Sequence, residues 1–246
     1  MRFLYILLFV TLPLTLFAKQ KQSRWLCEAE DEGSKVTFFD DGVIDIIAPK
    51  GLTLWYKDML KGDVAIEYEA RIVVEDGNSE KWNRLSDLNC FWMATDKSAS
   101  EGSVLEKTAE RKGIFVNQYA LQLYYVGYGG NHNSTTRFRR YDGDVRGVKE
   151  AEHRPAILRE YKDADHLLKA NHWYKIRLEQ SNGHVRYTID GECLVDYLDN
   201  VPFTSGYFGF RTTLSHAQMR NFKVSAKHFK QKKAKKPKKF GKEQNK

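Results

Sequence analysis

Residues 127–144 read GYGGNHNSTTRFRRYDGD, and Gln122 and Tyr124 come shortly before them. Arginine suits two-pronged recognition of a carboxylate or sulfate. Tyrosine offers a flat apolar surface with a polar end, which matches a sugar ring. With a histidine and amides added, these types supply what β-elimination beside a uronate carboxylate requires: a base, an acid, and cations for the enolate-like charge. Tyr124 or Tyr141 and His132 are therefore expected as base and acid. Arg137 and Arg139 would clamp the acid group, with Gln122 and Asn133 as neutral donors. Such chemistry needs no metal, and no cofactor is expected.

Two strands have to bring these side chains together. Residues 117–128 (NQYALQLYYVGY) and 135–141 (TTRFRRY) both alternate and flank the glycine-bearing loop. Placing Tyr119, Leu121, Leu123 and Tyr125 on the core side of the first, and Thr136 and Phe138 on the core side of the second, fixes the other faces. Gln122, Tyr124, Arg137, Arg139 and Tyr141 then share one outer surface, with His132 and Asn133 at its rim. A plain exposed strand pair is the alternative reading of the same pattern.

Other residues are open to two readings. Trp92, in NCFWMATD, is either a platform for a sugar or a core aromatic; Asn89, polar in that apolar run, is placed to reach the groove. Trp55 and Tyr56 carry the same ambiguity. His153 and Arg154 lie in a polar segment that either closes over the groove or forms an ordinary surface loop. Glu67 and Glu69 stand two apart on one strand face, so they are either solvated or the carboxylate pair of a hydrolase, which works at about 5–10 Å. His166, His172, His184 and His216 show no metal-ligand spacing and read as structural. No Ser-His-Asp, phosphate-loop or nucleotide-binding pattern occurs.

The surrounding chain reads as strands. Residues 63–74 (DVAIEYEARIVV) alternate Val64, Ile66, Tyr68, Ala70 and Ile72 with Glu67, Glu69 and Arg71, the period of a half-buried strand. Residues 172–197 hold three strands joined at Asn182-Gly183 and Asp190-Gly191, pairs that accept positive φ. Helical periodicity is confined to a short turn around 103–111. About a dozen such strands predict an all-β fold, a two-sheet antiparallel β-sandwich. The run WYKIRLE, a hairpin, VRYTIDG, then PFTSGYFGFRT and MRNFKV resembles the C-terminal half of concanavalin A-like (laminin-G-like) jelly rolls. GLTLWYKDML and DLNCFWMATD are similar to secreted sandwich proteins of bacterial polysaccharide-utilisation systems. That resemblance implies a carbon–oxygen lyase, a polysaccharide lyase or an oligosaccharide dehydratase, acting on ulvan-type sulfated uronate polymers. A glycoside hydrolase or a carbohydrate-binding module without catalysis are the alternatives.

The ends of the chain differ from the rest. Arg2, a fifteen-residue apolar run and Ala18 read as an export signal over 1–18, too short to span a membrane comfortably. A β-sandwich domain is expected over 19–226. Residues 227–246 hold ten lysines and one glutamate, which leaves −1 of the total +8 for everything before them. Such a run has little to bury, so a disordered tail is expected, either a solubilising end or a segment that holds an anionic polymer or membrane surface. The expected protein is periplasmic or secreted and monomeric, with an anionic polysaccharide or oligosaccharide as partner. Nucleic acid and stable membrane insertion are not expected. Cys27, Cys90 and Cys193 form an odd set without metal spacing; a bridge from Cys193 to Cys27 or Cys90 is open.

Overall fold

The computed structural model describes residues 22, 24–143 and 154–226; the expected export segment, the lysine-rich tail and His153 lie outside the described residues. In VAIEYEARIV every second residue is apolar. The strand it forms, β5 (Val64–Val73), buries Val64, Ile66, Tyr68, Ala70 and Ile72 and turns Glu67, Glu69 and Arg71 outward. Positive φ at Asn182, Gly183, Asp190 and Gly191 closes the two tight turns that join β10 (Tyr174–Ser181), β11 (His184–Ile189) and β12 (Glu192–Leu198).

Two antiparallel sheets share two long strands. One sheet runs β9 (Ile157–Tyr161), β8 (Thr135–Asp142), β7 (Gln122–Gly129), β6 (Leu88–Thr95), then the first part of β13 (Ser205–Ala226), the second part of β3 (Ile44–Tyr56) and β1 (Trp25–Ala29). The other runs β12, β11, β10, β5, the second part of β13, the first part of β3 and β2 (Lys35–Phe38). A two-residue strand, β4 (Leu60–Lys61), pairs with the start of β13. Both long strands change sheet at one level: pairing breaks at Pro49, which has no amide proton, and slips at Leu214, which takes φ 48°. The predicted all-β sandwich is the fold observed.

The main core lies between the sheets. Trp92, Tyr124 and Phe138 from the first meet Tyr68, Ile176 and Tyr187 from the second, and the Tyr128–Tyr174 and Phe138–Tyr197 ring pairs cross the gap at 5.3 and 5.6 Å. A second cluster covers the other face of the first sheet. There Trp55, Phe91, Leu123, Tyr125 and Tyr141 pack beneath Val104, Tyr119 and Leu121. The segment 96–121 that roofs them contains only short turns, at Ser100–Gly102, Thr108–Arg111 and Phe115–Ala120. The strand expected over 117–128 therefore starts only at Gln122, because 115–120 folds over the sheet instead of joining it.

One buried carboxylate fixes that roof. Glu28 of β1 accepts hydrogen bonds from Trp55 Nε1 (2.9 Å), Arg111 Nη2 (2.8 Å), Gly113 N (3.1 Å) and Gln118 Nε2 (2.5 Å). Arg111 also faces Asp96 at 3.4 Å. The three cysteines are free, which settles the question the sequence left open: no bridge to Cys193 forms. Cys90 is buried, as expected of a small apolar residue in a strand, whereas Cys27 and Cys193 are exposed. Among the described residues no helix is long and apolar enough to cross a membrane, and no cluster of His, Cys, Asp or Glu could hold a metal ion.

Removing one partner of a buried ion pair costs about 3–5 kcal/mol. Glu28→Ala is expected to lower the melting temperature by on the order of 10 °C and to raise the binding of a hydrophobic dye as the roof loosens. Unchanged melting would show that Glu28 does not hold it.

Candidate functional site

Residues paired directly across antiparallel strands point to the same side of the sheet. The register of the first sheet lines up Glu28, Thr53, Arg211, Asn89, Gly127, Arg137 and Glu160 from β1 to β9, on the face opposite the main core. Beside it runs a second row: Leu26, Trp55, Gly209, Phe91, Tyr125 and Arg139. The roof covers one end of both rows. Arg211 donates to Thr53 Oγ1 and to the Gly113 carbonyl, each at 3.0 Å, and its guanidinium lies 4.9 Å from the Phe115 ring centre.

Past Phe115 the roof ends and the face opens into a hollow of about 190 Å³, floored by Tyr125 and Gly127 and walled by Asp87, Asn131, Arg137, Arg139 and Arg154. Gly127 is required here: a Cβ would come within 2.2 Å of the Tyr125 hydroxyl, which lies across it. Arg137 donates from Nε to Glu160 at 2.6 Å. Arg139 is 5% exposed and donates to the Pro155 carbonyl, and among the described residues it has no carboxylate partner. Burial lowers the Arg139 pKa, and the charges of Arg154 and Arg137 lower it further. Asp87 accepts from Ser86 Oγ at 2.6 Å and from Arg84 Nη2 and Asn89 Nδ2 at 3.2 Å. Asn89 Oδ1 is buried without a partner among the described residues.

The rim of the hollow is a left-handed turn. Asn131, His132 and Asn133 have φ of 52°, 60° and 55°, a conformation asparagine tolerates better than most residues. Asn133 holds the turn in place by donating to the Leu168 carbonyl (3.0 Å) and accepting from the Leu168 amide (2.8 Å).

Of the residues expected to act, Arg137 and Arg139 line the hollow and Asn89 adjoins it. His132 and Asn133 stand at its rim, as expected, His153 lies outside the described residues, and the others are elsewhere. Tyr124 is not on the outer face: it is paired opposite Arg140, lies in the main core, and donates to Asp199 at 2.7 Å. Burial raises its pKa strongly. Tyr141 does share the face of Arg139, but it is fully buried under the roof, and burial raises its pKa well above the ordinary phenol value. Gln122 lies on the opposite face from Arg137, near Thr95. Trp92 is core, tilted against Tyr124 and Phe138, and Trp55 is buried with its indole on Glu28. His132 is exposed at the rim, where Arg84 Nη1 donates to its Nδ1 at 3.1 Å, and Asn133 serves the backbone. Glu67 and Glu69 are ion-paired with Arg177 (2.6 Å) and Arg220 (2.7 Å), an ordinary salt-bridged outer face. Asp87, Tyr125, Asn131 and Arg211 were missed. A cation inside the apolar run GYFGFRTT was the available signal for Arg211.

Known proteins give the following likenesses. The family model described as "Domain of unknown function (DUF6250)" matches residues 46–222. No curated protein matches. Among solved structures, a protein of unknown function with a galectin-like fold from Bacillus subtilis is 16% identical, with 84% of this chain and 90% of that chain covered and a TM-score of 0.61. The carbohydrate binding module CBM66 from Bacillus subtilis is 15% identical (82% and 96% covered, TM-score 0.52). The carbohydrate recognition domain of Emp46p, potassium-bound, is 12% identical (84% and 90% covered, TM-score 0.54). At these identities the likeness is one of fold.

Tyr124 and Arg140 converge on Asp199, which also accepts from the Val201 amide. Burial pushes the Asp199 carboxyl up, but these bonds outweigh it and hold its pKa below the usual value. Its contribution is therefore fully present above the unfolded aspartate pKa of about 3.9 and is lost as the pH falls through the folded value. Asp199→Asn is expected to cost about 2 kcal/mol at neutral pH. Denaturation curves of wild type and variant should converge in acid; a gap independent of pH would show that charge plays no part.

Proposed function

The chain belongs to the DUF6250 family, and from that footing we propose that it is a carbohydrate-binding module whose hollow takes a saccharide bearing a carboxylate or sulfate. Carbohydrate-binding proteins stand among its fold neighbours, which supports the general class. The observation that carries the anionic character is Arg139. It is a buried guanidinium with no carboxylate among the described residues, next to Arg137 and Arg154 in one hollow. A planar guanidinium matches an acid group at two points. Tyr125 offers the apolar floor that a sugar ring needs, and Asp87 and Asn131 offer polar atoms for its hydroxyls.

The elimination expected from the sequence needs a base against the substrate. Tyr125 is the phenol that lines the hollow, and burial, followed by the charge of Asp87, raises its pKa strongly. A phenol so shifted stays protonated at neutral pH and makes a poor base. Binding without turnover is the reading this geometry favours.

Calorimetric titration with oligogalacturonates, sulfated galactan oligosaccharides and neutral galactan oligosaccharides tests the proposal. Saturable binding of one acidic series, with none of the neutral one, is expected. Arg139→Ala should weaken it about ten- to a hundredfold. Arg154→Ala, at an exposed position, should weaken it without changing the melting temperature. Equal binding of neutral and acidic sugars would remove the anionic assignment. A growing ultraviolet absorbance of unsaturated uronate during the titration would replace the module with a lyase.

A further inference from the structure

We infer that the hollow receives the terminal residue of a saccharide chain, not a stretch along a polymer; this rests on the carbohydrate reading above. A sandwich sheet whose outer face is bare can offer a groove running across all its strands. Here the cross-strand row from Glu28 to Arg137 would form such a groove, but the roof occupies its first half. Phe115 stands where the two halves meet, with its ring 5.6 Å from that of Tyr125 and under the Arg211 guanidinium. Beyond Phe115 the same face holds the buried second cluster, leaving no path for a second sugar ring.

Among the described residues, other sides are bounded too. The left-handed turn places Asn131 at the rim, and its neighbour Asn133 is bonded to the backbone of Leu168, which fixes the turn's position. Arg137 and its partner Glu160 stand towards β9. The roof is anchored at Glu28 by three donors of its own, the side chains of Arg111 and Gln118 and the backbone amide of Gly113, so it is a fixed wall. At about 190 Å³ the space falls below the roughly 300–1,000 Å³ of a typical ligand pocket. That is room for one ring with its acid group.

The test uses the intact protein and the same galacturonate and sulfated galactan series, each offered as single residue, short oligosaccharides of rising length and full polymer. For a chain-end site, affinity should change by no more than about threefold with length, because no further ring adds contacts. Polymers of known chain length should saturate at one protein per chain. Affinity that climbs tenfold or more with length, or a stoichiometry that scales with residues per chain, overturns the inference and leaves the binding module in place. No heat from either acidic series withdraws the carbohydrate reading itself, and the inference with it.

Discussion

A carboxylate with no access to water decides how the outer face of the first sheet is used. Glu28 points away from the main core, into a position that would be solvated in a simple sandwich, and is 2% exposed. Desolvating a carboxylate costs several kcal/mol unless its oxygens are hydrogen-bonded and its charge is met. Trp55, Arg111, Gly113 and Gln118 supply the bonds and Arg111 the charge. Three of these donors come from the roof. The segment 96–121 has little regular structure of its own, so this one anchor does for it what a backbone ladder does for a strand. Once it is down, Trp55, Phe91 and Tyr141 are covered, and an aromatic surface becomes a second core.

The same arrangement sorts the charges. Along the cross-strand row, acids stand at the two ends and cations between them. Glu28 serves the roof, Glu160 is shared by Arg137 and Lys162, and Asp87 is engaged by Ser86, Arg84 and Asn89. Arg211 and Arg139 are left to bond to carbonyl and hydroxyl oxygens. Carbonyl oxygens satisfy the N–H groups of a guanidinium without neutralising it. Among the described residues the hollow is therefore positive, even though the chain before its lysine-rich tail is close to neutral.

How much of this could be read from the sequence depends on whether a strand keeps one wet face. In β5 the acids and arginines alternate with apolar residues, and in β10 to β12 the Asn-Gly and Asp-Gly pairs mark the turns, so those elements were legible. In β7 both faces are buried: Tyr124, Val126 and Tyr128 enter one core, Leu123 and Tyr125 the other. Period two then carries no information about direction. Choosing the wrong face moved Tyr124 outward while leaving Arg137 and Arg139 correctly outside the main core, because in β8 Phe138 and the arginines still differ in polarity. The roof was illegible for another reason. Its anchor joins residues 83 apart, and a glutamate in β1 looks in sequence like any exposed acid.

The geometry also bears on why a sandwich would keep Arg139 where it is. An exposed arginine could meet an acid group at the surface, but water would screen the pair and weaken it to a few tenths of a kcal/mol. Arg139 is already desolvated in the free protein, and its guanidinium is held by the Pro155 carbonyl. The cost of removing a charge from water is thus met during folding and does not recur at binding. An anion bound as proposed would find a donor that is oriented, dry and without a competing carboxylate among the described residues, the condition under which a charged hydrogen bond is strongest. A side chain buried in this way weakens the fold by itself. Its position makes physical sense as one half of an ion pair whose other half arrives with the ligand.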